Sequence, residues 1–142
     1  MKLIDSHAHL DNEQFDEDRA EVLERIKENL EFAVNIGYDI ESSRRSVKYA
    51  NENDFIYAVV GVHPIDIEGY SDEVEKELEE LARDKKVLAI GEIGLDYHWM
   101  TQPKEVQQKF FRRQMELARR VGKPVVIHSR DAMEDTLTIL KE

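Results

Sequence analysis

Apolar residues along the chain follow two alternating rhythms. Dense apolar runs stand at "KLIDS", "FAVNIG", "FIYAVVGVHP", "VLAIGEIGLD" and "PVVIHS", and each reads as a strand. Between them the apolar residues recur at three- and four-residue spacing, which predicts helices. The first helix is expected over Asp16–Asn29, burying Val22, Leu23, Ile26 and Leu30, and the second over Ser42–Asn51. The third is expected over Ser71–Asp84, with Val74, Leu78 and Leu81 inward. Pro103 suits the first turn of the fourth helix, which carries Val106, Phe110, Leu117 and Val121 on one face and ends at Gly122. The fifth begins near Asp131, with Met133, Leu137 and Leu140 on its buried face.

Five βα units in a row, with strands apolar on both faces, predict a parallel sheet. A barrel-type sheet and a doubly wound sheet both satisfy the pattern. The glycine-rich "GEIGLD" does not open directly into a helix, as a dinucleotide-binding turn would. Polar residues with chemistry fall instead at or near strand ends: His7 and His9, His63, Glu92 and His128. Barrel enzymes place their reactive groups there.

Two histidines two apart on an extended segment point the same way, so His7 and His9 can present two imidazoles to one divalent metal. Taken alone they are equally well read as ordinary polar residues at a strand end. Glu92 adds weight, because a carboxylate inside an apolar strand is costly unless it is paired or bound to a metal. The alternative partner is a neighbouring Arg or Lys. His128 closes "VVIH" in the same manner.

The 142 residues contain no cysteine, so thiolate sites and disulfides are excluded, which fits a reducing cytoplasm. No signal segment or membrane-length apolar run stands in the sequence. The net charge is −11, the wrong sign for a generic nucleic-acid binder. A phosphate substrate would therefore need local basic groups or metal ions.

"DSHAHLD", "VGVHP", "AIGEIGLDYHW" and "KPVVIHSRDA" together resemble the successive signatures of the TatD family of metal-dependent hydrolases, in order along the whole chain. The resemblance implies a (β/α) barrel, one or two divalent metals (zinc, magnesium or manganese) and hydrolysis of phosphodiester bonds in DNA by metal-activated water. It implies metal ligation by His7, His9, Glu92 and His128. Glu92 and His63 would take catalytic roles, with His63 near the substrate phosphate. Arg130 is a plausible phosphate contact, and a surface salt bridge is its alternative role. Tyr97, His98 and Trp99 are candidates to face a substrate base, with core packing the expected role for Trp99.

A full barrel of this type needs about 250 residues. The expectation for this chain is therefore one truncated domain over 1–142, a partial TIM-type barrel of about five parallel βα units. The family's later histidine and its terminal aspartate ligand fall outside the matched motifs. Weak metal binding and little or no nuclease activity are expected accordingly, and a catalytically silent half-barrel stands as the alternative function. Open first and last strands predict self-association, and the inner sheet face is expected to expose Val, Ile and Ala.

Overall fold

A computed structural model describes residues 2–142. Its strands are β1 (Leu3–Ala8), β2 (Leu30–Ile36), β3 (Ile56–Val60), β4 (Val87–Asp96) and β5 (Val125–Arg130). They form one sheet in the order β1-β2-β3-β4-β5, and every neighbouring pair is parallel. The helices α1 (Arg19–Asn29), α2 (Ile40–Glu52), α3 (Asp72–Leu81), α4 (Lys104–Val121) and α5 (Met133–Leu140) follow their strands in turn. The alternating rhythms predict these parallel βα units, and their arrangement is the partial barrel that the family resemblance implies.

Local chemistry sets the helix ends. Asp39 and Ser42 form a reciprocal capping box at the start of α2, which lengthens that helix beyond the expected Ser42–Asn51. Ser71 accepts from the Val74 amide at the start of α3. Pro103 stands just before α4 rather than in its first turn, and Gly122 closes that helix at φ 67°. The region ahead of α1 is a short 3-10 turn over Glu13–Phe15, so α1 starts at Arg19 rather than Asp16.

The main core lies between sheet and helices, with Ile56, Val60, Leu78, Ile90, Ile93, Leu95, Phe111 and Leu117 almost wholly buried. The inner face forms a second cluster. Val34, Ile36, Val59 and Ala89 pack there, against Phe32, Tyr57 and Val126. This overturns the expectation of an exposed inner face. The sheet curls so strongly that its concave side chains bury one another. Glycines permit the curl: a Cβ on Gly61 would meet the Gly91 carbonyl oxygen at 2.5 Å. Burial on both faces fails at β1, where Leu3 is 68% and Ile4 53% exposed. Within this sheet β1 and β5 each pair on one side only, so the two expected open edges are present.

Two helix faces differ from those expected. In α4 the inward stripe is Gln107, Phe111, Gln114, Leu117 and Ala118, while Val106, Phe110 and Val121 sit at its margin. In α5 Met133, Leu137 and Leu140 are 63%, 46% and 41% exposed, and Thr136 and Ile139 face inward. Thr136 can do so because its hydroxyl pairs with that of Ser129 at 3.0 Å.

Candidate metal centre

Chemistry-bearing side chains from β1, the β3–α3 loop, β4 and β5 meet on the concave side of the curled sheet. A flat sheet would separate β1 from β4 by about 14 Å, three spacings of about 4.8 Å. Here His7 Nε2 lies 3.5 Å from Glu92 Oε2. The other carboxylate oxygen, Oε1, lies 3.3 Å from His128 Nδ1. One carboxylate thus faces an imidazole on each side.

Ligand atoms of His7, His9 and Glu92 all lie within 4.8 Å of one another, and so do those of His63, Glu92 and His128. Two donors on one tetrahedral zinc, each about 2.1 Å from it, sit about 3.4 Å apart. The His7–Glu92 and Glu92–His128 separations match that edge. The donors are nitrogen and oxygen only, which suits zinc, manganese or magnesium in different degrees and selects none.

Each group is held from behind. His9 Nδ1 lies 3.0 Å from the Ile36 carbonyl oxygen, which leaves its Nε2 as the free ligand atom. The His9 loop is tied to β2 by Asn35, fully buried, whose Oδ1 accepts from the Leu10 amide at 2.6 Å. The Asn35 amide group donates to Asp11 and Ser46, and Arg45 pairs with the far oxygen of Asp11 at 3.0 Å.

Two buried glutamines of α4 clamp the strand ends. Gln114 bonds both the amide and the carbonyl of Val62, each at 2.8 Å, just before His63. Gln107 bonds the amide and carbonyl of Asp96, at 2.8 and 2.9 Å. These inward polar residues are the reason the α4 stripe differs from an apolar pattern.

His63 is 8% exposed, and its ring centroid lies 4.1 Å from that of His128. Burial, with the charge of nearby His128, pushes His63 down to about 4. Its Nδ1 accepts from the Ile65 amide at 3.2 Å, so the neutral ring carries its proton on Nε2. His128 is shifted upward, first by its bond to Glu92 and then, against burial, by Asp96. Burial disfavours charge on Glu92, yet His128, His7 and His63 hold its carboxyl below the usual range.

A cavity of about 370 Å³ opens beside the cluster, lined by His9, Asn12, Tyr38, His63, Ile65, Asp66 and Glu92. Arg130 lies at the end of β5 with its guanidinium 5.7 Å from the centre of the exposed Trp99 ring. It lines neither that cavity nor the imidazole–carboxylate cluster.

The fold thus brings the expected His7, His9, Glu92, His63 and His128 together and leaves Arg130 outside, two residues beyond His128 on β5. The sequence reading passed over Asp96, whose Oδ2 lies 2.9 Å from His128 Nε2 and which is 1% exposed. It also passed over Asn35 and the two glutamines. Asn35 left one signal, a lone amide inside the apolar run "FAVNIG".

The family model described as "TatD related DNase" matches residues 4–142. The chain belongs to this family. It is 48% identical over 141 residues to the "Uncharacterized metal-dependent hydrolase YabD" of Bacillus subtilis (strain 168), covering 99% of this chain and 55% of that protein. It is 37% identical over 135 residues to the "3'-5' ssDNA/RNA exonuclease TatD" of Rahnella sp. (strain Y9602), covering 94% of this chain and 51% of that one. Among solved structures, the TatD homolog YJJV from Escherichia coli K12 superposes with a TM-score of 0.85 at 30% identity, over 98% of this chain and 55% of that one. The chain spans about half the length of the curated relatives it matches. Among the described residues, no helix is long and apolar enough to cross a membrane.

Proposed function

We propose that these residues hold a divalent-metal centre that hydrolyses phosphodiester bonds in single-stranded nucleic acid. The observation that carries the reading is Glu92, whose two oxygens face His7 and His128 at 3.5 and 3.3 Å. His7, His9 and Glu92 would hold one ion, and Glu92 with His128 a second. A bound divalent ion of this kind lowers the pKa of a coordinated water and stabilises charge on phosphate oxygens.

The chain's own residues supply the rest. Glu92 spans both positions and keeps them in register. His63 is buried and neutral, with Nε2–H left to donate to a phosphate oxygen. That proton assignment favours substrate contact over metal ligation for His63. Arg130 brings positive charge to the end of β5 in a chain whose net charge is −11, and the exposed Trp99 beside it offers a face to a base. The Rahnella relative's name, an exonuclease on single-stranded DNA and RNA, supports this substrate class.

The test is hydrolysis of a 3′-labelled single-stranded oligonucleotide with Mg²⁺, Mn²⁺ or Zn²⁺, beside Glu92→Gln. The convergence of β1, β4 and β5 on Glu92 reverses the expectation of a nearly inactive chain, so the expected result is cleavage above that control, abolished by chelation. A folded protein that takes up metal yet cleaves no faster than Glu92→Gln would instead be a silent half-barrel.

A further inference from the structure

Asp96 joins the metal centre to the backbone around it. Its Oδ1 accepts from the His98 and Trp99 amides at 3.0 and 2.9 Å, and its Oδ2 lies 2.9 Å from His128 Nε2. The side chain is 2% exposed. Gln107 fixes its backbone from the other side through both the amide and the carbonyl. Each oxygen of Asp96 therefore has an assigned partner, and rotating the carboxylate gives nothing new.

An ionised carboxylate only accepts. Both ring nitrogens of His128 face carboxylate oxygens, Nε2 at 2.9 Å from Asp96 and Nδ1 at 3.3 Å from Glu92, and the single proton of the neutral ring goes to the shorter contact, on Nε2. In the neutral ring this leaves Nδ1 with a lone pair, aimed at Glu92 Oε1 at 3.3 Å. Two acceptors face each other across that gap, and a cation between them satisfies both.

We infer that Asp96 is a positioning residue that fixes the His128 tautomer, so that Nδ1 and not Nε2 is the metal donor. This rests on the metal reading of the site. Carboxylate partners of ligating histidines act in this way, and losing one typically costs about 10–100-fold in metal affinity.

The discriminating variant is Asp96→Asn. Two backbone amides demand an acceptor at the Oδ1 position, so the asparagine oxygen is held there. Its NH₂ must then face His128. A donor at that position requires Nε2 to accept, which moves the ring proton to Nδ1 and removes the donor that faces Glu92. The substitution is isosteric and keeps both backbone bonds.

Long-range ¹H–¹⁵N spectra of metal-free protein, recorded where His128 is neutral, read the tautomer directly. The expected result is Nε2–H in the wild type and Nδ1–H in Asp96→Asn. Zinc titration should show the His128-side affinity lowered about 10–100-fold in the variant, with affinity at the His7–His9 side kept. A wild-type Nδ1–H tautomer overturns the inference without need of the variant. So does a folded Asp96→Asn protein with the wild-type tautomer or with unchanged zinc affinity. A tautomer that switches in a protein that takes up no zinc upholds the orientation and overturns the metal reading instead.

Discussion

Gly94→Ala links the fold to the site in a single atom. Gly94 lies in β4, two residues beyond Glu92, with φ 142°, a conformation that side chains strongly disfavour. A Cβ there would stand 2.0 Å from the carbonyl oxygen of His128. Carbon–oxygen contacts settle near 3.3 Å, so β5 must retreat by about 1.3 Å or β4 must twist away. Gly94 pairs with His128 in the β4–β5 register, so the retreat falls on His128 itself. The Asp96–His128 contact of 2.9 Å would open to about 4 Å, beyond hydrogen-bonding range. Backbone strain alone costs about 1–3 kcal/mol. We expect Gly94→Ala to unfold at lower urea concentration by at least that amount, and to lose His128-side zinc binding even where it remains folded. Urea denaturation followed by circular dichroism, together with zinc titration, checks both. Wild-type stability and wild-type zinc affinity in the variant would refute the close packing of β4 on β5 and the geometry built on it.

Other expectations follow from particular contacts. Asn35→Ala leaves the Leu10 amide, Asp11 and Ser46 short of a buried partner; it should cost about 1–3 kcal/mol in denaturation and weaken metal binding at His9. Glu75 accepts from Tyr70, Arg113 and Arg120 and so ties α3 to α4. Burial opposes its charge, but the bonds from Arg120, Tyr70 and Arg113 hold its carboxyl below the usual range. Its stabilisation is therefore present above the ordinary carboxylate range and lost as pH falls through its depressed value. Glu75→Gln should be less stable than wild type by about 1–3 kcal/mol at neutral pH, with the difference shrinking in acid; a constant difference down to the acid limit would refute the pairing. Trp99, 61% exposed, should contribute to substrate and not to folding. Trp99→Ala is expected to keep wild-type stability and to weaken single-stranded DNA binding by fluorescence anisotropy by about 5–150-fold, the equivalent of one lost stacked base.

The order of strands and helices was legible because dense apolar runs and helical rhythms report burial directly. Glu92 and His128 were legible as candidates because a polar group in an apolar run needs a partner, and His7 and His9 because residues two apart on an extended segment point the same way. Which partner was not legible. Whether β1 can reach β4 depends on sheet curvature, and curvature comes from close approaches such as Gly61 on Gly91, which no periodicity encodes. The same curvature buries Val34, Ile36, Val59 and Ala89 against the expectation that they would be exposed. Gln107 and Gln114 read as ordinary polar positions of α4 until the strand-end backbone groups they satisfy are seen. In α5 the spacing of Met133, Leu137 and Leu140 predicts the inward stripe, but Thr136 faces in because Ser129 satisfies its hydroxyl. Asp96 belongs to the same group: its two oxygens face different partners, the His98 and Trp99 amides on one side and His128 on the other, which only the folded chain brings together.

The most direct test of the metal centre is anomalous diffraction from crystals grown with zinc, recorded on both sides of the zinc absorption edge. The account predicts one peak about 2.0–2.2 Å from Glu92 and from the imidazoles of His7 and His9, and a second between Glu92 and His128 Nδ1, both absent from Glu92→Gln crystals. Zinc bound only at surface carboxylates, or an empty cluster at saturating zinc, would contradict it.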